Sequence, residues 1–324
     1  MGVTYCVFNM VPISMKTNRM KKILVVTLSN IGDAILTTPV LEALHQYFPE
    51  ATIDLVCDPR SAALFTDCPY RGQLFLKNKK DGCLGYFRLI SALRQQHYDV
   101  AVDLKTDFLL HFILAKQKFH KISANSMLEQ HSVIKHLSAL QTLLPRPTFP
   151  PVKLWAHPEN AEDVMALQQM LQTKRYLALG LGANFSGKIW PAEQYAALVN
   201  LLTLYFDAVL LLGDTRDRSL SAVFNSRVNL PVTDCCGILN LPQSFSLLTH
   251  AKYFIGNDSG LGHMAAAAGV PTFTIFGPGA PHRYLPWSKK SHFYQDPQHQ
   301  ILNVTVAQVA PRVVAAMLSS GFSQ

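Results

Sequence analysis

Apolar residues occur in short continuous runs, separated by stretches with helical spacing. Lys22–Leu28 (KILVVTL) is an apolar run of strand length. Asp33–Tyr47 then sets Ile35, Leu36, Val40, Leu41 and Leu44 on one face of a helix. Thr52–Cys57 (TIDLVC) predicts a second strand, Leu84–Gln96 a helix and Asp99–Leu104 a third strand. Strands that are apolar throughout and alternate with helices predict a parallel sheet covered on both faces. From Pro145 to Pro158 the chain reads PRPTFPPVKLWAHP. So many prolines fit neither a helix interior nor a central strand, and the segment predicts an interdomain linker. The alternation then resumes. Tyr176–Gly180 predicts a strand, Pro191–Leu204 a helix that opens on proline and Ala208–Leu212 a strand. Asp217–Phe224 and Pro242–His250 follow as helices, Lys252–Ile255 as a strand, Leu261–Ala268 as a helix, Val270–Phe276 as a strand and Val304–Leu318 as a closing helix. The prediction is two α/β units, 20–150 and 151–324, with ligands beyond the carboxyl ends of the strands in a cleft between them.

Composition supports this reading. Of 324 residues, 49% are hydrophobic and 15% charged, which supplies two cores and excludes a disordered chain. No stretch reaches the ~18 apolar residues of a membrane span; the nearest, Leu198–Leu212, is broken by Asn200, Thr203 and Asp207. In the first 20 residues the cations Lys16 and Arg19 follow the apolar stretch, the wrong order for a signal peptide, so a cytoplasmic protein is expected. Six cysteines without CxxC spacing read as free thiols. Of the net charge of +8, residues 1–150 carry 17 basic against 11 acidic side chains, a net of +6. A basic first half suits an anionic partner such as a phosphorylated glycolipid or a membrane surface; it equally suits a plain solvated surface. The cations are scattered and lack interleaved aromatics, which argues against nucleic acid.

Five segments carry candidate chemistry. Ser29-Asn30-Ile31-Gly32-Asp33 joins the first strand to the first helix, with Gly32 permitting the turn and Asp33 at the helix start. There Asp33 reads either as a helix cap or as a base facing the cleft. No GxGxxG is present, which argues against an ordinary dinucleotide dehydrogenase. Asn184–Pro191 (NFSGKIWP) is a small polar loop with one lysine before a helix, able to hold a phosphate although it is no P-loop. Ile255–His263 (IGNDSGLGH) is a strand end, a small-residue turn and a helix start. Its backbone N–H groups and the Ser259 hydroxyl favour an anion, and Asp258 is expected to cap, to hold His263 or to orient a sugar hydroxyl. Phe276–Pro281 (FGPGAP) is a rigid loop after the last core strand. In Gly213-Asp214-Thr215-Arg216-Asp217 a carboxylate past a strand end suits ribose hydroxyls, and an N-cap at Asp214 is the competing reading.

These blocks together resemble glycosyltransferase family 9, the bacterial heptosyltransferases of lipopolysaccharide core assembly. The resemblance runs from about Met20 to about Ala316 and rests on ILVVTLSNIGDAILTTPVLEALHQYFP, GKIWP, and FIGNDSGLGHMAAAAGVPTFTIFGPGAP followed by Trp287. It implies the GT-B fold: two Rossmann-like domains facing each other across a cleft, the first binding acceptor and the second binding the nucleotide-sugar donor, with the last helix packing back toward the first. By motif, Asp33 matches the family's general base and Lys188 the lysine that meets the donor phosphates. Asp258, Ser259, Gly260 and His263 match the donor-binding turn, which Ser186 adjoins, and Asp217 the ribose carboxylate. Gly32, Arg60 and Lys105 are the expected acceptor contacts. Ser259 and Gly279 stand where threonine is common, and Ile189 where a basic residue or histidine usually sits. These departures leave the sugar open. Residues 1–19 fall outside the match, as a poorly ordered segment or a misassigned start would. The implied reaction moves a heptose from ADP-heptose to the anionic inner core of lipopolysaccharide, with inversion, no metal and no cofactor. A peripheral place on the cytoplasmic face of the inner membrane is implied by a lipid-linked acceptor. Alternatives are another nucleotide sugar, another surface glycan, or a non-catalytic binding protein.

Overall fold

A computed structural model describes residues 21–322 apart from 106–107, 122–128, 145, 147, 156–161 and 173. The leading segment 1–19, and the predicted linker at Pro145, Pro147 and residues 156–158, lie outside the described residues.

The first unit holds β1 (Lys22–Val26), α1 (Ile31–Ile35), α2 (Thr38–Tyr47), β2 (Thr52–Cys57), β3 (Arg71–Leu76), α3 (Gly82–Arg94), β4 (Tyr98–Asp103), β5 (Ala115–His120) and α4 (Ser132–Leu137). Its strands form a parallel sheet in the order β3-β2-β1-β4-β5. The second unit opens on α5 (Glu162–Gln172) and continues through β6 (Tyr176–Gly180), α6 (Ala192–Asn200), β7 (Ala208–Leu212), α7 (Arg218–Asn225), β8 (Val232–Asp234) and α8 (Leu241–Leu248). It closes with β9 (Tyr253–Asn257), α9 (Gly260–Ala267), β10 (Thr272–Phe276), α10 (Pro281–Tyr284), β11 (Ser291–Gln295) and α11 (Val306–Ser319). Its sheet is also parallel, in the order β11-β10-β9-β6-β7-β8. In both sheets the chain reverses its direction of advance beside the first strand, between β1 and β4 and between β6 and β9. Loops diverge at such switch points and leave a crevice at the carboxyl ends of the strands.

Local chemistry explains the boundaries. The central strands β1, β6, β7 and β9 are buried on both faces, as their unbroken apolar sequences require. The helix predicted over Asp33–Tyr47 is two helices. Pro39 has no N–H to give and fits only the first turn of a helix, so α2 starts afresh there; Thr37 Oγ1 closes α1 by donating to the Ala34 carbonyl at 2.6 Å.

The described part of the linker, 148–155, is strapped to the first unit. Val152 and Leu154 are buried, the Lys153 N–H donates to Thr38 Oγ1 at 3.0 Å, and Trp155 meets Tyr70 edge to face. The last helix, α11, packs on α6 and β11 of its own unit, with Val309, Val313 and Met317 fully buried in that core.

The two units touch. α1 packs against α9, and α8 packs against the turn at 62–64. Trp287 donates its indole N–H to the Pro150 carbonyl at 3.2 Å, and its ring lies 4.6 Å from that of His131. His131 also donates from Nε2 to the Leu285 carbonyl at 2.8 Å.

Candidate active site

The site gathers where α1 and α9 meet, at the carboxyl ends of β1, β6 and β9. Glycine makes that approach possible. A methyl group on Gly32 would lie 2.8 Å from His263 Cδ2, and one on Gly260 would lie 2.9 Å from Ile31 Cγ2. Gly32, expected as an acceptor contact, therefore turns its bare Cα to His263 of the other unit. Asp33 follows at the third position of α1, half-buried, and accepts from Asn30 Nδ2 at 3.0 Å. The N-cap of this helix is Asn30, not Asp33, so the capping reading of Asp33 falls away.

His263 is buried, its Nδ1 has no partner among the described residues, and burial pushes it down to about 4 against the opposing pull of the Asp33 carboxylate. The ring is neutral at ordinary pH. Asp33 also bears on Lys121, whose ammonium is lowered chiefly by burial and partly by Lys135, with Asp103 and Asp33 pulling the other way. The Asp33 carboxylate thus lies within electrostatic reach of His263 on the other unit.

On the facing side Lys188 Nζ donates to Asp258 Oδ2 at 2.5 Å. Asp258 neither caps α9 nor holds His263, as had been expected; it fixes the lysine beside the helix start. Its carboxylate is nearly buried and the lysine about one-third exposed, so the ammonium keeps hydrogens free for a second acceptor. Ser259 is the N-cap of α9, and its buried Oγ has no partner among the described residues. A helix N-terminus, an unused hydroxyl and an anchored ammonium are groups of the kind that hold an anion. Ser186 lies exposed in the same loop as Lys188.

Two amides, Asn257 buried and Gln295 half-buried, set these loops in place, and neither has a signal in the sequence beyond its neighbourhood. Asn257 Oδ1 accepts from the Trp190 N–H and the Tyr195 hydroxyl, both at 3.0 Å, while its Nδ2 donates to the Leu181 carbonyl at 2.7 Å. Gln295, from the edge strand β11, donates to the carbonyls of Gly277 and Gly279 at 2.7 Å each. Gly279 in turn lies against Asp258 so closely that a Cβ would come within 2.8 Å of Oδ2.

The structure separates the two acidic candidates after β7. Asp214 is an exposed N-cap, closed by a capping box and paired with Arg216 at 2.5 Å. Asp217 is half-buried against Gly182 and Gly213, at the ends of β6 and β7. It accepts from the Asp214 N–H at 2.9 Å, and burial raises its carboxyl above the usual range. On the first unit Arg60 pairs with Asp58, Nε to Oδ1 at 2.9 Å and Nη2 to Oδ2 at 3.1 Å, and reaches the Ser29 carbonyl at 3.4 Å. The Lys105 N–H donates to Asp103 Oδ1 at 2.8 Å. Both cations follow strand ends on the rim that carries Asp33. Among the described residues no three His, Cys, Asp or Glu side chains are grouped to hold a metal ion.

Buried neutral histidines set an acid limit on stability. His136, whose Nδ1–H donates to the Leu36 carbonyl at 3.1 Å, is pushed down to about 4 by burial, like His263. Their unfolded value is 6.5. Between 6.5 and 4 the unfolded chain binds more protons, so stability is complete above 6.5 and is lost as pH falls. The loss expected at pH 5 is about 2 kcal/mol for each ring. Urea unfolding at pH 7 and pH 5 measures it, and equal midpoints would contradict the burial of these rings.

Two Rossmann-like units, each built on a parallel sheet and meeting through α1 and α9, give the chain the architecture of a GT-B glycosyltransferase. The sequence profile of glycosyltransferase family 9 (heptosyltransferase) matches residues 86–303, and the chain belongs to that family. It is similar to lipopolysaccharide heptosyltransferase 3 of Escherichia coli, 24% identical over 290 residues that cover 79% of this chain and 84% of the relative. Its fold is that of a family 9 glycosyltransferase from Veillonella parvula, with a TM-score of 0.81, 17% identity and coverage of 94% of this chain and 99% of the other. It is also that of the ADP-heptose lipopolysaccharide heptosyltransferase II of E. coli, with a TM-score of 0.75, 20% identity and coverage of 93% and 99%.

Proposed function

We propose that the chain transfers a heptose from ADP-heptose to a hydroxyl on the inner core of lipopolysaccharide. One observation carries the reading: α1, which bears Asp33, meets α9 where Gly32 lies against His263, and on the α9 side Lys188 is anchored on Asp258. The names of the relatives supply the sugar and the acceptor. The first unit binds acceptor and the second binds donor.

Asp33 takes the proton of the acceptor hydroxyl as its oxygen attacks the anomeric carbon. The bond to the donor's diphosphate breaks on the opposite face, so the product is inverted. Lys188, the Ser259 hydroxyl and the first N–H groups of α9 receive the developing negative charge, the part an electropositive ion plays in other enzymes. Asp217 meets the donor ribose at the ends of β6 and β7. Arg60 and Lys105 receive the acid groups of the acceptor, in keeping with the basic first half. No described helix is long and apolar enough to cross a membrane. The enzyme works in the cytoplasm, meeting its lipid-linked acceptor at the inner membrane surface.

A thermal-shift series with ADP, UDP and GDP, followed by a transfer assay with ADP-heptose and heptose-deficient core, tests the reading. ADP is expected to stabilise, by ~2.7 kcal/mol at a hundred times its Kd. Stabilisation by UDP or GDP alone would assign a different donor. ADP binding without transfer to any core acceptor would leave a binding protein.

A further inference from the structure

The outer surface of the first unit carries large apolar side chains that no described element covers. α3 buries Leu89, Ile90 and Leu93 on the sheet and turns Leu84 and Phe87 outward, 62% and 68% exposed. The turn at 108–112, which packs beside α3 in the same core, buries Leu109 and Leu110 and exposes Phe108 by 77% and Phe112 by 49%. Leu76, at the end of β3, is 53% exposed. Charge surrounds these groups with one sign. From residue 76 to 94 the chain holds Lys77, Lys79, Lys80, Arg88 and Arg94 against the single carboxylate of Asp81. Lys77 lies over the Tyr86 ring at 4.9 Å, next to the apolar tips. Asp81 accepts from Asn78 Nδ2 at 3.0 Å.

Scattered exposed apolar residues are ordinary, but a cluster of aromatic and leucine tips is not. Apolar tips borne on a segment whose charge is mostly positive match a surface that is apolar at its acyl boundary and negative at its headgroups. The position of Leu84 agrees. α3 leaves from the carboxyl end of β3, so Leu84 in its first turn lies toward the end of the sheet that carries Asp33, Arg60 and Lys105, and the chain after the 108–112 turn enters β5 at the opposite end.

We infer that Leu84, Phe87 and Phe108, with Lys79, Lys80 and Arg88, dock the first unit on an anionic lipid surface. The cations engage headgroups while the three apolar tips enter the interface, so that the acceptor end of the cleft faces the bilayer. This rests on the lipid-linked acceptor proposed above, and it names the surface that does the docking.

The test is flotation of the full chain with vesicles of phosphatidylethanolamine and phosphatidylglycerol, against vesicles of phosphatidylcholine alone, with no donor or acceptor present. Binding is expected to the anionic vesicles, weakened by salt. Phe87→Ser with Phe108→Ser, and separately Lys79→Glu with Lys80→Glu, should each lower the bound fraction at least tenfold while ADP binding is kept. With the heptosyl assay, turnover on acceptor embedded in vesicles should fall in both variants, and turnover on a delipidated core oligosaccharide should not. Failure of the unaltered chain to bind anionic vesicles, or full binding by both variants, would overturn the inference. Equal loss on the delipidated acceptor, with vesicle binding intact, would instead make the patch part of an acceptor or protein contact. Because flotation involves neither sugar nor nucleotide, its outcome is independent of the donor and acceptor assigned above.

Discussion

Asp33→Asn is expected to lower transfer turnover by at least ~10²–10⁴-fold, the usual worth of a positioned general base, and to leave ADP binding unchanged. The substitution is nearly isosteric. An amide oxygen can still accept from Asn30 Nδ2, which meets Asp33 at 3.0 Å, and the N-cap of α1 is Asn30 itself, so the helix should survive. What disappears is the basic oxygen that faces the other unit. The site proposed for the donor phosphates, beside Lys188 and Ser259, belongs to the other unit and should not register the change. Steady-state kinetics at saturating donor and acceptor, with calorimetry of ADP, separate the two effects. Turnover within a few-fold of the unaltered enzyme would reduce Asp33 to a helix residue.

Lys188→Ala should cost ~10²–10³-fold in turnover, because it removes a preorganised donor from the departing diphosphate. This variant has a second effect that must be kept apart. It strips the cation from Asp258, whose side chain is only 8% exposed, and an uncompensated nearly buried carboxylate destabilises the fold. The double variant Lys188→Ala with Asp258→Asn removes that charge. It is expected to regain most of the unfolding midpoint and none of the transfer rate. Transfer restored in the double variant would mean that the lysine serves Asp258 alone.

The strands buried on both faces were legible in the sequence to the residue: Thr52–Cys57, Tyr176–Gly180 and Ala208–Leu212 need no partner information to declare themselves. β3, β5, β8 and β11 were not. They are the four edge strands of the two sheets, half-exposed and mixed in composition, as in RGQLFL and AKQKFH, and only the sheet beside them makes them strands. The site divides in the same way. Each loop was visible as a contiguous motif, because a turn between a strand and a helix is written in local residues. The pairing of Lys188 with Asp258 joins positions 70 residues apart, and no local pattern encodes it. Gln295 was invisible for the same reason: its role is two hydrogen bonds to backbone carbonyls, which place no demand on the sequence they reach. Asp217 shows the opposite case. Spacing left it level with Asp214, and burial between Gly182 and Gly213 separated them.

The meeting of α1 and α9 has a consequence for motion. Gly32 and Gly260 bring the two lobes to backbone distance, so nothing compressible is left between the helix tips. Entry of a bulky sugar nucleotide cannot be accommodated by squeezing there. A single methyl at either glycine would act as a shim, fixing the aperture wider and lengthening the span the reacting oxygen has to cross.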